Sequence, residues 1–179
     1  IMPSLVGSEM CIRDSVSREQ FASFSLPLLA RNPYIQAFNF HRLVSKQDRA
    51  RYEAEMRAQY PGFTIKEVVD GQTVPANERP YYRVVDYIEP MHGNEPALGF
   101  DADSYPFQRA AMQRAIDTGK PSATGLLHLL QERTVQRGFI VLMPVYQAGM
   151  PLTDVASRRR AVIGDTAAVF RLSLIHISE

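Results

Sequence analysis

The chain has 179 residues, with 20 Lys and Arg against 19 Asp and Glu and a formal net charge of +1. That balance excludes a strongly basic nucleic-acid binder and describes a mixed, water-facing surface. The one cysteine, Cys11, excludes a disulfide framework. The longest apolar run, 138–146, falls well short of the roughly 20 residues that cross a bilayer.

The two ends can be encoded by one stretch of DNA read in opposite directions. Met10-Cys11-Ile12-Arg13-Asp14-Ser15 and Leu172-Ser173-Leu174-Ile175-His176-Ile177 form this inverted pair, which resembles the mosaic-end adapter of transposase-made sequencing libraries. Residues 1–15 and 172–179 are therefore expected to be adapter-derived and are set aside from fold reasoning. The domain proper is expected over 16–171, truncated at both ends, with 19 basic and 16 acidic residues and no cysteine. A length of about 155 residues suffices for one ordinary core or two small subdomains.

In chain order, Phe21, Phe24, Leu28 and Leu29 fall at three- and four-residue spacings and predict a first helix, with Pro27 bending or breaking it. A second helix is expected over about Lys46–Gln59, opened by Ser45 with Asp48 three residues on. Its charges make a solvated face, with Tyr52 and Met56 as the buried edge. His41, just before it, is expected on a helix or its end. Phe63–Val69 then reads as a strand, Asp70-Gly71 as a turn and Tyr81–Ile88 as a second strand. A third helix is expected over Pro106–Asp117, with Ser104 as its cap and Gly119 as its stop. Ser122–Gln131 could be a strand followed by a turn, and Gly138–Tyr146 and Ala161–Arg171 complete the pattern as strands. Helices followed by strands in this order predict an α+β fold, an antiparallel sheet covered by helices.

Several local features carry weak chemistry. Asp101 and Asp103, two apart after Gly99-Phe100, could suggest a metal loop, but a turn whose carboxylate holds backbone amides explains them more simply. His41, His92 and His128 are not spaced as metal ligands. Arg158-Arg159-Arg160 fits a helix C-terminus or an exposed loop. Tyr81, Tyr82 and Tyr87 are expected to pack in the core, with one ring able to point into a pocket. No nucleophile stands in a recognisable catalytic setting, so catalysis by this segment is not expected, and no cofactor is implied.

One series of motifs does carry information together. Asn32-Pro33-Tyr34-Ile35-Gln36-Ala37, Arg49 with Tyr52-Glu53, Phe63-Thr64-Ile65, Val84-Val85-Asp86-Tyr87-Ile88-Glu89-Pro90, Gly99-Phe100-Asp101, Asp117-Thr118-Gly119 and Met143-Pro144-Val145-Tyr146 follow in order. In order and spacing the series resembles a CHASE domain, the extracytoplasmic sensor of receptor-type cyclases and histidine kinases. The resemblance implies an N-terminal stalk helix, truncated here, and PAS-like antiparallel sheet subdomains with covering helices. It further implies membrane helices on either side, a homodimer through the stalk helices and a periplasmic position in an inner-membrane protein. The cytoplasmic output would be a diguanylate cyclase, a phosphodiesterase or a histidine kinase.

Anchored on Thr118-Gly119-Lys120 and Pro144-Val145-Tyr146, the resemblance places a small-molecule pocket at Gln108, Thr124, Leu130 and Leu142, with Phe100 and Tyr146 beside it. Related plant cytokinin receptors carry an acidic residue where this chain has Gln108, and a threonine where it has Leu142. The cytokinin ligand is therefore not carried over. Two rival readings stay open: a non-binding dimerisation or spacer module of a membrane receptor, and a soluble enzyme.

Overall fold

The computed structural model describes residues 17–128 and 137–171. Helix α1 (Arg18–Arg31) opens with a capping box, in which Ser17 Oγ accepts from the Gln20 amide and the Gln20 side chain accepts from the Ser17 amide. It runs through Pro27 without ending there, and it buries Phe21 and Ser25 while Phe24 is 68 % exposed. The expected stripe is thus rotated towards Phe21, whose ring meets Tyr87 at 5.9 Å.

Strand β1 (Ile35–Ser45) follows directly. This corrects the expectation that His41 sits on a helix or its end: the segment is a central strand and His41 is 1 % exposed within it. Helix α2 (Arg49–Arg57) starts after the Ser45–Asp48 turn and buries Tyr52 and Met56 as expected, together with Glu53. The Glu53 carboxylate accepts from the Ile65 amide at 2.9 Å and from Arg49, Arg57 and Thr64, which ties α2 to the chain entering the next hairpin. Burial alone would raise this carboxyl, but those donors hold it below the ordinary carboxylate value.

The hairpin β2 (Lys66–Val69) and β3 (Gln72–Pro75) turns at Asp70-Gly71, both in the left-handed region. Strand β4 (Tyr81–Glu89) leads through two 3-10 turns to helix α3 (Pro106–Thr118), closed by Gly119 in the left-handed conformation that helix ends favour. The α3 N-cap position is Tyr105, not the expected Ser104, which ends the preceding 3-10 turn. Short strands β5 (Ser122–Ala123) and β6 (Leu127–His128), long β7 (Arg137–Tyr146), helix α4 (Val155–Ala161) and β8 (Val162–Arg171) complete the described chain.

Among the described residues six strands form one antiparallel sheet in the order β4-β1-β8-β7-β5, with β6 also paired to β7. Counting β5 and β6 together as one edge, the sheet runs second, first, fifth, fourth, third in chain order, the arrangement of a PAS-like sheet. The fold is α+β, as expected. One such sheet and the separate β2–β3 hairpin stand where the resemblance implied more than one sheet subdomain.

Strand alternation divides the sheet into two faces. Ala37, Ile88, Val85, Ala167, Val169, Ile140 and Leu142 lie in one core cluster with Ala111, Met112, Ala115 and Ile116 of α3, so α3 roofs this face. A second cluster joins Val44, Tyr82 and Val84 to Tyr52 and Met56 of α2 and to Phe63 and Ile65. Arg158 and Arg159 of α4 reach the C-terminal end of α3. There the Arg158 guanidinium donates to the Ile116 and Asp117 carbonyls, and Arg159 pairs with Asp117 at 2.8 Å. Cations at a helix C-terminus meet unpaired carbonyls, so the arginine cluster is a helix clamp.

Candidate functional site

The helix-roofed face gathers most of the residues singled out from sequence. The α3 periodicity puts Gln108 on the stripe it shares with Ala111, Met112, Ala115 and Ile116, and its side chain is 9 % exposed. Leu142 is 1 % exposed, and on β7 it stands opposite Ala167 of β8 on one side and Ser122 of β5 on the other. Phe100 belongs to the same core cluster and meets Tyr105 edge-on at 5.8 Å.

Thr124 is buried beside β7. Its amide donates to the Ile140 carbonyl at 2.9 Å and its Oγ1 accepts from the Ile140 amide at 3.0 Å. That hydroxyl extends the strand pairing and keeps its own proton free to donate. Tyr146 is half-buried, and its hydroxyl donates to the Ile116 carbonyl at 3.2 Å, pinning the end of β7 to α3. Leu130 lies outside the described residues.

The sequence reading missed the polar end of the same face. His41 on β1 is opposite Asp165 on β8, and Leu43 is opposite Arg83 on β4. Arg83 Nη1 donates to Asp165 Oδ1 at 2.9 Å and its Nε to Asp103 Oδ1 at 3.1 Å. His41 Nδ1 lies 2.8 Å from Asp165 Oδ2, in contact but outside hydrogen-bond alignment. Burial by itself would raise the Asp165 carboxyl, yet His41 and Arg83 together hold it below the ordinary carboxylate value.

Asp101 is fully buried and accepts from the backbone amides of Arg83 at 3.0 Å and Asp103 at 3.2 Å, and also from Arg79, which pairs with Glu67. The turn reading of this loop thus describes its geometry. Burial outweighs those donors and raises the Asp101 carboxyl. Among the described residues no group of three or more His, Asp and Glu side chains is placed to hold a metal ion.

The tyrosines do not line this face. Tyr82 is wholly buried in the second cluster, Tyr81 is 57 % exposed, and Tyr87 stacks on Phe40 across the opposite face. That opposite face holds a cleft of about 720 Å³ between α1, α2 and the sheet, with Arg18, Arg42, Tyr52, Asp86 and Tyr87 among its walls. Asp86 is the unpaired residue of the β4 irregularity, and it accepts from Arg42 Nε at 2.6 Å and from the Tyr52 hydroxyl at 3.1 Å. None of the described residues expected at the pocket lines this cleft.

The chain belongs to the CHASE domain family, whose model matches residues 14–177. That match takes in residues 172–177, part of the stretch set aside from fold reasoning. A curated relative, hybrid signal transduction histidine kinase A of Dictyostelium discoideum, is 26 % identical over 172 residues, covering 89 % of this chain. The chain spans about 8 % of that relative's length. CHASE domains are sensor domains of signalling proteins, and this segment is such a domain. Among the described residues no helix is long and apolar enough to cross a membrane.

Proposed function

We propose that residues 16–171 form the extracytoplasmic ligand-sensing domain of a transmembrane signalling protein, acting as a homodimer and relaying small-molecule binding to a cytoplasmic histidine kinase. The observation that carries this reading is the CHASE match across residues 14–177. The helix-roofed face supports a ligand site there, because Leu142 and Phe100 share its buried core and Gln108 lies on the α3 stripe that covers it. The Dictyostelium relative, a hybrid histidine kinase by name, favours a kinase over the cyclase and phosphodiesterase outputs that the resemblance left open.

No chemistry is required of the domain itself. The ligand would hold α3 and the sheet in one of two arrangements, and it can bias them only by its different affinity for each. Moving the population from 1:99 to 99:1 takes about 5.5 kcal/mol, and a smaller bias already signals. The test is to recover the genomic sequence on both sides of this segment. Apolar helices of about 20 residues on both flanks, followed by a kinase, are the expected result. A continuous reading frame without an apolar span would refute the membrane placement.

A further inference from the structure

We infer that Asn39 is a recognition residue of the helix-roofed face, and that the ligand it reads is a small neutral molecule presenting an N–H or O–H donor. This deepens the sensing reading above and rests on it. Asn39 lies mid-strand in β1, opposite Ile88 of β4 and Ala167 of β8, and Ala167 is in turn opposite Leu142 of β7. Directly opposed residues point to the same side of a sheet, so Asn39, Ala167 and Leu142 form one row beneath α3. The next row along the strands is Ala37, Val169 and Ile140, and the one after it is His41, Asp165 and Pro144.

Asn39 is 4 % exposed, and its Oδ1 meets no hydrogen-bond donor among the described residues. Its cross-strand neighbours, Ile88 and Ala167, have no donor to offer. A buried amide oxygen left in this state costs stability that an apolar residue of the same shape would not. Gln108, 9 % exposed on the α3 stripe that closes over these rows, adds a second amide, whose polar atoms still reach the surface. Each amide offers one acceptor and two N–H donors.

The nearby charges are already spoken for. Arg83 is held by Asp103 and Asp165, and Asp165 lies between Arg83 and His41. Among the described residues the face therefore presents amides and no uncommitted guanidinium, a setting that disfavours a desolvated anion and suits a neutral polar molecule. Buried polar groups of this kind discriminate strongly, because an analogue without the matching donor leaves them unpaired.

The test uses the full chain, with acetamide as the neutral probe and acetate as its anionic counterpart of the same shape. The side-chain NH2 resonances of Asn39 and Gln108 are assigned by their loss in Asn39→Leu and Gln108→Leu. Acetamide should shift both resonances saturably, acetate should shift neither, and ligand-free Asn39→Leu should melt at or above wild type. An Asn39→Leu protein melting several degrees lower would show that Oδ1 is satisfied in the free protein, by water or otherwise, and would overturn the inference. So would acetate acting as strongly as acetamide. Shifts confined to other resonances of α3 and β7 would remove Asn39 and leave the sensing reading intact. No shift anywhere in the domain would overturn the inference as well, while the sensing reading stands or falls by the flanking sequence.

Discussion

Arg83→Met is the substitution that most directly probes how the helix-roofed face is held. The Arg83 guanidinium supplies Asp165 with its 2.9 Å hydrogen bond and Asp103 with one of 3.1 Å. Asp103 is 23 % exposed at its side chain and can turn to water, but Asp165 is wholly buried. Methionine fills much of the arginine stem and leaves Asp165 with only the His41 ring at 2.8 Å. Removing one partner of a buried ion pair costs about 3–5 kcal/mol, because the other charge is left uncompensated. For a domain of this size each kcal/mol moves Tm by about 2–4 °C, so the loss should be about 6–20 °C. Replacing both partners, Arg83→Met with Asp165→Leu, removes the orphaned charge and should recover most of the loss, since well-packed apolar replacements of buried pairs are often neutral. Thermal and urea unfolding followed by circular dichroism at neutral pH would measure all four members of the cycle. An Arg83→Met protein within about 2 °C of wild type, a shift worth no more than about 1 kcal/mol, would refute the argument. The desolvation cost of the pair would then equal its attraction, and the network would not be what fixes β1, β4 and β8 beneath α3.

The same network sets a pH dependence. The folded Asp165 carboxyl titrates below its ordinary value of 3.8, so the unfolded chain binds more protons in acid and the stability contributed by Asp165 is lost as pH falls through the folded value. The difference in unfolding free energy between wild type and Asp165→Asn should shrink as pH falls below about 4; a difference that does not change there would contradict the shift. At Gly164, an added Cβ would meet the His41 carbonyl oxygen at 2.3 Å. Gly164→Ala must therefore push β8 from β1 and should cost about 1–3 kcal/mol by urea unfolding; an unchanged midpoint would show that the strands can separate freely. Tyr146→Phe deletes the hydroxyl that donates to Ile116 and should cost about 1 kcal/mol, read as faster amide hydrogen exchange at the α3 C-terminus.

The sequence made several elements plain and concealed strand β1. Helix α3, β4 and β7 carried clear signals: Pro106 and Gly119 at the helix ends, a β-branched and aromatic run at Tyr81–Ile88, and an apolar run at 138–146. Strand β1 carried no such signal, because both of its faces are covered. Ala37, Asn39 and His41 turn to one cluster while Phe40 and Val44 turn to the other side, so the alternation of polar and apolar that marks a half-buried strand is missing. Its inward polar residues, Asn39 and His41, are buried in the face beneath α3.

The site shows the same division. Gln108, Leu142 and Phe100 were reached through the family resemblance; Leu142 and Phe100 share one buried core, and Gln108 lies on the α3 stripe that covers it. Arg83 and Asp165 are 82 residues apart, and only the pairing of β4 with β1 and of β1 with β8 brings them together. Spacing along a single sequence holds no trace of such a pair. Helix α1 shows a smaller version of the problem. Several apolar stripes could be drawn through Phe21, Phe24 and Leu28, and the contact of Phe21 with Tyr87 selects among them.

The central claim is that a small molecule binds beneath α3. The direct measurement is a thermal-shift screen of the chain against a library of small neutral and charged metabolites, with each hit retitrated by calorimetry on Gln108→Ala. A saturable hit among neutral polar compounds is predicted, with affinity weakened about three- to tenfold in Gln108→Ala, the worth of one hydrogen bond. A hit that binds Gln108→Ala as tightly as wild type, or a library with no saturable hit, would contradict it.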